Sequence, residues 1–475
     1  MRLNRLDCLP LLFFGAFYFL TCYLGVVLLL WGPPSAQFLY MIYAGVDIPI
    51  YSQNEFFVLL ALLHLPVVCL GIGYFLGFKA INHWVKGKVV FRDHVNDGLI
   101  LFCWAGTLLL AAFSVWRGGA IDNVSAWAAS YDNWVAARWT LFKTLWLVEF
   151  INLYVLLPMM TGLVLLLLWQ QNKKKTALLV LVLGLMVTML LFQRKQPLVY
   201  LIIALLPFGL KVMSRGTKNK PWGRIGAGLV TGLLVAYLGL FFAPTLGLSE
   251  GTGLTLTRGD LLPKVLGSKT GQKGALKQSA LGQNLPKVPG SKTGQEGALK
   301  QSALDQFIQN YGKLPVILKQ TLFASNSVIF RTSVPAMYYV VTFPDRHPYY
   351  GLDVPFDQLT ADDNLAVWSE MWPKTPGGSV SAPFQFSFYA QVGVAGTLAL
   401  AIFLGVLLGV TWAWFRKIEA QTPVTLMVGA LILLFAIFLS MESARNSVIS
   451  SYGLIWGGMF LVFLVGVSRI RAPRR

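Results

Sequence analysis

"NLYVLLPMMTGLVLLLLWQQNKKKTALLVLVLGLMVTMLLFQRKQPLVYL", residues 152–201, holds two long apolar runs and the start of a third, parted by two short basic breaks. The first break carries Lys173, Lys174 and Lys175; the second carries Arg194 and Lys195. Runs of about 18 apolar residues are long enough to cross a hydrocarbon layer about 30 Å thick. Breaks this short return the chain at once, so the runs read as successive crossings. The two basic breaks then lie on opposite sides of a membrane.

The pattern extends from end to end. Of 475 residues, 56% are hydrophobic and 12% charged, whereas soluble domains carry about 25% charged residues. Ten spans are predicted, at 9–31, 56–80, 98–117, 144–169, 176–193, 197–213, 225–246, 386–412, 423–441 and 450–468. The expected fold class is an all-α polytopic membrane protein of about 10 transmembrane helices, with one large extracytoplasmic loop between helices 7 and 8. Residues 1–246 hold helices 1–7, residues 247–385 the loop, and residues 386–475 helices 8–10 with a basic tail. The first run is too long for a cleaved leader and is read as retained. The four cysteines, Cys8, Cys22, Cys69 and Cys103, lie in or beside the first three runs, which suggests neither a disulfide framework nor a zinc site.

Charge orients the spans. With ten counted, Arg2, Arg5, Lys79, Lys86, Lys88, Arg92, the lysines at 173–175, the basic cluster at 211–224, Arg416, Lys417 and the terminal arginines all fall on one side. Residues 32–55, on the other, contain no lysine or arginine. The positive-inside rule places both termini in the cytoplasm and assigns the net charge of +19 to cytoplasmic turns rather than to a nucleic-acid surface. Against that bias, Arg194 with Lys195, Arg138 with Lys143, and Arg445 in "MESARNSVISSYG" sit in outer turns. A basic residue that opposes insertion near the membrane face is a functional candidate; snorkelling at a span end is the plainer reading.

The loop at 247–385 has two parts. Residues 262–284 are repeated at 285–307 with a period of 23 and four differences, rich in Gly, Lys, Ser and Gln. Such a segment has little to bury and reads as a solvated spacer without chemistry of its own. The later part, 313–385, reads as ordered. "KLPVILKQTLFASNSVIFR" (313–331) is amphipathic and delivers Arg331 to a stretch that interleaves Tyr338, Tyr339, Phe343, Tyr349, Tyr350 and Phe356 with Asp345, Arg346, His347 and Asp353. Aromatic faces beside polar edges suit sugar rings, so Tyr338, Tyr339, Tyr349, Tyr350 and Asp353 are the sugar-binding candidates.

There is no Walker loop, no G-x-G-x-x-G and no sizeable cytoplasmic domain. Chemistry, if present, is expected outside, on a substrate already activated by a lipid diphosphate. A departing diphosphate needs cationic stabilisation, and arginine forks supply bidentate, charge-assisted bonds. Arg194, Lys195, Arg331, Arg445 and Arg138 are the candidates to hold it, in place of a metal or other cofactor, neither of which is expected. The acceptor hydroxyl needs a general base, and His347 or Asp345, with Arg346 between them, is expected to serve. His64 is expected to be a hydrogen-bonded span residue. Glu149 and Asn152 either clamp helices together or line a cavity.

The layout, together with "FRTSVPAMYYVVTFPDRHPYYG" (330–351) through "PGGSVSAPFQFSFYAQVGVAG" (376–396), resembles the O-antigen or oligosaccharide repeat-unit polymerases of bacterial envelopes. The resemblance covers chiefly 190–412 and lies more in layout than in fixed letters; the tandem duplication is not a family feature. It implies a glycosyltransferase of the bacterial inner membrane that joins polyprenyl-diphosphate-linked oligosaccharides into surface polysaccharide, with a flippase and a chain-length regulator as partners beside the bilayer. By that likeness Arg194 and Arg331 grip the diphosphate, with Arg445 a weaker match. Three other readings share parts of the pattern: an O-antigen-ligase-like transferase, a polyprenyl-phosphate-dependent glycosyltransferase, and a polysaccharide transporter. The second usually places a metal-binding acidic pair in the first outer loop, where this chain has only Asp47 and Glu55. The third favours paired halves with broken helices, and no matching pair is legible.

Overall fold

The structure, a computed structural model, describes residues 5–33, 35–36, 40, 46, 48–88, 95–122, 138, 140–191, 196–214, 329–351, 362–373, 380–418, 422–443 and 454–471. Among them the regular elements are all helices: α1 (Leu6–Trp31), α2 (Gln53–Trp84), α3 (Asp97–Arg117), α4 (Leu147–Gln170), α5 (Lys174–Met189), α6 (Gln196–Ser214), α7 (Ser333–Thr342), α8 (Asp362–Met371), α9 (Phe384–Lys417), α10 (Pro423–Leu439) and α11 (Leu454–Arg471). Five of these, α1 to α4 and α9, are long and apolar enough to cross a membrane. The class is a polytopic helical membrane protein. Helices stand at the first six and last three of the ten expected spans. The seventh, 225–246, lies outside the described residues, as do the tandem repeat, Arg194, Lys195, Asp353 and Arg445.

Local sequence explains where the helices start. Ser52 and Glu55 close a capping box at α2, the Glu55 amide donating to Ser52 Oγ at 3.3 Å. Asn96 accepts from the Gly98 amide ahead of α3, and Thr422 accepts from the Thr425 amide ahead of α10, whose first residue is Pro423. Large apolar side chains cover the outside, Phe102 (76% exposed), Val462 and Leu109 among them, and exposed Trp31, Trp116, Trp146 and Trp84 mark helix ends. That distribution suits lipid along the flanks and an interface at the ends.

The interior is built around α4, of whose apolar window 94% is buried, against 28–39% for the other long helices. It is ringed by α3, α5, α6 and α10. Asn152 ties it to α3, donating from Nδ2 to the Thr107 carbonyl at 2.9 Å. At the same end Glu149 accepts from Arg117 and from the Trp146 amide, and Arg117 stacks 4.8 Å over the Trp146 ring. Of the two readings open for Glu149 and Asn152, these contacts match the clamp.

The most extensive helix pair is α2 with α9. Gly73 and Gly77 on one, Gly405 and Gly409 on the other, let the backbones meet: a Cβ at any of them would collide with a main-chain carbonyl across the interface. Two small-x-x-x-small motifs facing each other replace hydrophobic drive with dispersion and close backbone approach. Beneath this pair, Arg416 bonds Asp7 at 3.3 Å, Lys417 donates to the Val85 carbonyl, and Trp412 donates to the Leu6 carbonyl at 3.0 Å. The start of α1 and the ends of α2 and α9 therefore share one side.

The expected eighth span differs from a plain crossing. At Gly393 the backbone leaves the helix (φ 68°, ψ −174°), dividing α9 into a short half, 384–392, and a long one. The short half begins inside the bundle, since Phe384 packs on Phe14 at 6.0 Å between ring centroids. Phe14 lies 17 residues before the Trp31 end of α1, about 25 Å at 1.5 Å per residue. Part of the stretch expected as an external loop thus enters the bundle.

Candidate functional site

The first described part of that stretch, 329–351, is held in the bundle by α1. Residues Phe19–Tyr23 form a π-helical turn, a widening frequent at functional sites. The Thr332 amide and hydroxyl both donate to the Thr21 carbonyl there, at 3.3 and 2.8 Å. Gly25 lies against Ile329 and Ser333, where a side chain would not fit. Thr21 is ten residues before Trp31, about 15 Å along the axis, so the start of α7 is recessed by that depth.

At this recessed end Arg331 Nη2 donates to Glu442 Oε1 at 2.8 Å, and Ser381 Oγ donates to the same oxygen at 2.9 Å. Glu442 is 4% exposed and follows the last turn of α10. Aromatic rings wall the site: Tyr40 meets Phe330 edge-on at 5.7 Å, and Tyr51 lies near Tyr40, half-buried Tyr338 and Glu55. Burial pushes the Tyr51 hydroxyl well above the ordinary phenol range, and those neighbours push it further.

Midway along α7, Tyr339 reaches a buried carboxyl. Its hydroxyl stands 2.9 Å from Asp363 Oδ2 and 2.5 Å from Asn364 Oδ1, and Ser387 Oγ donates to Asp363 Oδ2 at 2.6 Å. A phenol has one hydrogen, so a second donor is required: a protonated Asp363, or an Asn364 amide turned to present its NH₂. Burial raises the Asp363 carboxyl above its usual range, and the bonds from Ser387 and Tyr339 only partly offset this. Burial likewise lifts Tyr339 well above the phenol range, with the Asp363 charge beside it adding to the shift. This network fastens α8 to α7 and to the short half of α9.

At the far end, the Arg346 and His347 amides both donate to the Thr342 carbonyl, capping α7. Glu370 on α8 pairs with Arg346 at 2.5 Å and stands 3.9 Å from His347 Nε2. Phe343 lies 5.7 Å from Tyr350 and 6.1 Å from His347. The break at Gly393 withdraws the helical donors from the Ala390 and Gln391 carbonyls, which accept instead from the Tyr350 and Gly351 amides at 3.1 and 2.8 Å. Tyr349 packs edge-on against Tyr389, and Tyr389 donates to the Phe343 carbonyl at 2.8 Å.

The structure thus gathers Arg331, Tyr338, Tyr339, Arg346, His347, Tyr349 and Tyr350 along one helix and its caps, with exposed Asp345 beside them. It also separates them. Arg331 and His347 lie at opposite ends of α7, a helix of ten residues and about 15 Å. Arg138 precedes Leu141, which packs with α3, α4 and α6 rather than with α7. His64 is bonded within the spans, to the Leu60 carbonyl at 2.8 Å and near the Tyr23 hydroxyl at 3.3 Å, as expected for a span histidine. Sequence reading passed over Glu442, Glu370, Ser381, Asp363 and Gly393. Glu442 and Glu370 carried a visible signal, being isolated carboxylates in the apolar "FLSMESA" and "AVWSEMW". Among the described residues no group of three or more His, Cys, Asp or Glu could hold a metal ion. No family model, no curated protein and no solved structure matches the chain.

Proposed function

We propose that the protein is a glycosyltransferase that polymerises lipid-diphosphate-linked oligosaccharide repeat units at the extracytoplasmic face of a bacterial inner membrane, with arginine rather than metal at the diphosphate and both termini in the cytoplasm. The observation that carries this reading is the Arg331–Glu442 pair, a half-buried guanidinium on a buried carboxylate. Ions taken from water into a helical bundle cost several kcal/mol each, and apolar residues would stabilise the fold as well or better. A pair kept there despite that cost marks a site. The guanidinium suits a diphosphate leaving group. The length of α7, with Tyr349, Tyr350, Arg346 and Glu370 at its far end, suits an oligosaccharide tethered to that diphosphate. A flippase that delivers the units and a chain-length regulator belong to the same proposal.

The test is reconstitution with purified lipid-linked repeat units. A ladder of products is expected without any other acceptor. Arg331→Ala abolishes it, and Arg331→Lys, which keeps the charge but loses the fork, cuts the rate strongly while the protein still accumulates in the membrane. Unchanged ladders from both variants would end the proposal. Products that need a second acceptor would mark a ligase, and activity lost to a chelator a metal-dependent enzyme. The broken α9 favours one further reading, a transporter, because interrupted helices there hold substrates within the bilayer. Substrate movement in sealed vesicles without a ladder would select it.

A further inference from the structure

We infer that Glu442, and not His347 or Asp345, is the general base of this transfer, an inference that rests on the function proposed above. In a lipid-diphosphate donor the anomeric carbon is one oxygen atom away from the phosphorus. A base that takes the acceptor's proton must therefore work beside the group that holds the diphosphate, within about 2.6–3.2 Å of the acceptor oxygen. His347 and Asp345 stand at the end of α7 remote from Arg331. Asp363 is 2% exposed, and its Oδ2 already accepts from Ser387 and Tyr339. Glu442 is in direct contact with Arg331.

Its hydrogen bonds fit the role. The donors Arg331 Nη2 and Ser381 Oγ both fall on Oε1, fixing the carboxylate; among the described residues no bond reaches Oε2. One oxygen is an anchor and the other is left to accept a proton. A buried carboxylate held purely for structure would be expected to satisfy both oxygens. The step balances as a single displacement. The acceptor hydroxyl gives its proton to Glu442 Oε2 as its oxygen bonds to the anomeric carbon of the donor chain. The bond from that carbon to the diphosphate oxygen breaks, its electron pair leaves with the lipid diphosphate beside Arg331, and the anomeric configuration inverts.

The experiment compares Glu442→Gln, Glu442→Asp, His347→Ala and Asp345→Ala in the reconstituted system, reading kcat and KM from released lipid diphosphate. Glutamine keeps the shape and an acceptor oxygen but no basicity, so kcat falls about a hundredfold to ten-thousandfold with KM little changed. Aspartate keeps the base and recovers part of that loss. An anchoring role alone gives the reverse order, with glutamine the milder change, and overturns the inference, as does a glutamine variant with kcat within threefold of the parent. Should Glu442→Gln not accumulate, the other variants still decide. His347→Ala and Asp345→Ala are expected to raise KM and leave kcat within about tenfold, and a loss beyond a hundredfold in either moves the base to that residue. Failure of the unaltered protein to release lipid diphosphate from the repeat units sinks the proposed function itself, a separate result from any of these.

Discussion

Replacing Gly393 by alanine tests whether the break in α9 is built into the site. The backbone at Gly393, φ 68° and ψ −174°, falls in a region open almost solely to glycine, and a side chain there costs about 1–3 kcal/mol. Space is not the difficulty, since a Cβ would meet the Tyr349 ring at an ordinary 3.5 Å. The chain can escape the strain by straightening the helix. The Ala390 and Gln391 carbonyls would then return to donors within α9, and the Tyr350 and Gly351 amides would lose their acceptors. Those two bonds are broken in the open state of the parent as well, so the strain alone, about 1–3 kcal/mol, shifts the opening equilibrium. At 1.36 kcal/mol per factor of ten, the lower figure is about a fivefold change in that equilibrium.

Hydrogen exchange in detergent or nanodiscs reads this directly. The Tyr350 and Gly351 amides should exchange at least about fivefold faster in Gly393→Ala, while amides in α4 keep their protection. Gly71→Ala is the control, because the space around Gly71 is open and alanine favours a helix interior by up to about 1 kcal/mol. Equal exchange in Gly393→Ala and the parent would refute both the strained conformation and the docking of 349–351 on the break.

Gly405→Leu should separate α2 from α9, because its Cβ would enter the space of the Leu70 carbonyl; overpacking of this kind costs about 1–3 kcal/mol, seen as a lowered melting temperature of the purified protein. Asp363 makes stability depend on pH. Its folded-state pKa lies above the unfolded value, so its contribution is fully present below the unfolded pKa and is lost as pH rises through the folded one. Thermal melts of the parent should therefore fall with rising pH relative to Asp363→Asn, and parallel curves for the two would contradict a burial-raised carboxyl.

The fold was legible where physics is one-dimensional. Apolar run length and the alternation of basic breaks suffice to place α1 to α6 and α9 to α11, because a crossing needs little beyond about 20 apolar residues. Pair contacts were less legible. Gly73, Gly77, Gly405 and Gly409 stand at helical spacing within their own runs, but their value depends on which helices become neighbours, and spacing does not say. Gly393 was still harder to see. In "AQVGVAGTLAL" it sits among helix-compatible residues, and only the docking of Tyr350 and Gly351 on the carbonyls two and three residues upstream accounts for a break at that position.

For the site, aromatic and charged letters drew attention to 331–351 correctly as a cluster, yet treating it as an external loop hid its depth. The α10 run holds a further clue. At 17 residues it is about 25 Å long, short of a hydrocarbon layer of about 30 Å, so its last carbonyls cannot meet lipid unsatisfied. Protein must close over that end, and segments 329–342 and 380–392 do so, placing Ser381 and Arg331 on Glu442. The carboxylate at the tip of this short span is thereby one of the groups around which the recessed site is assembled. That is also why Arg331, a candidate from the sequence as a diphosphate-holding arginine, stands on an acid that drew no notice: a carboxylate buried at this depth is costly without a cation beside it.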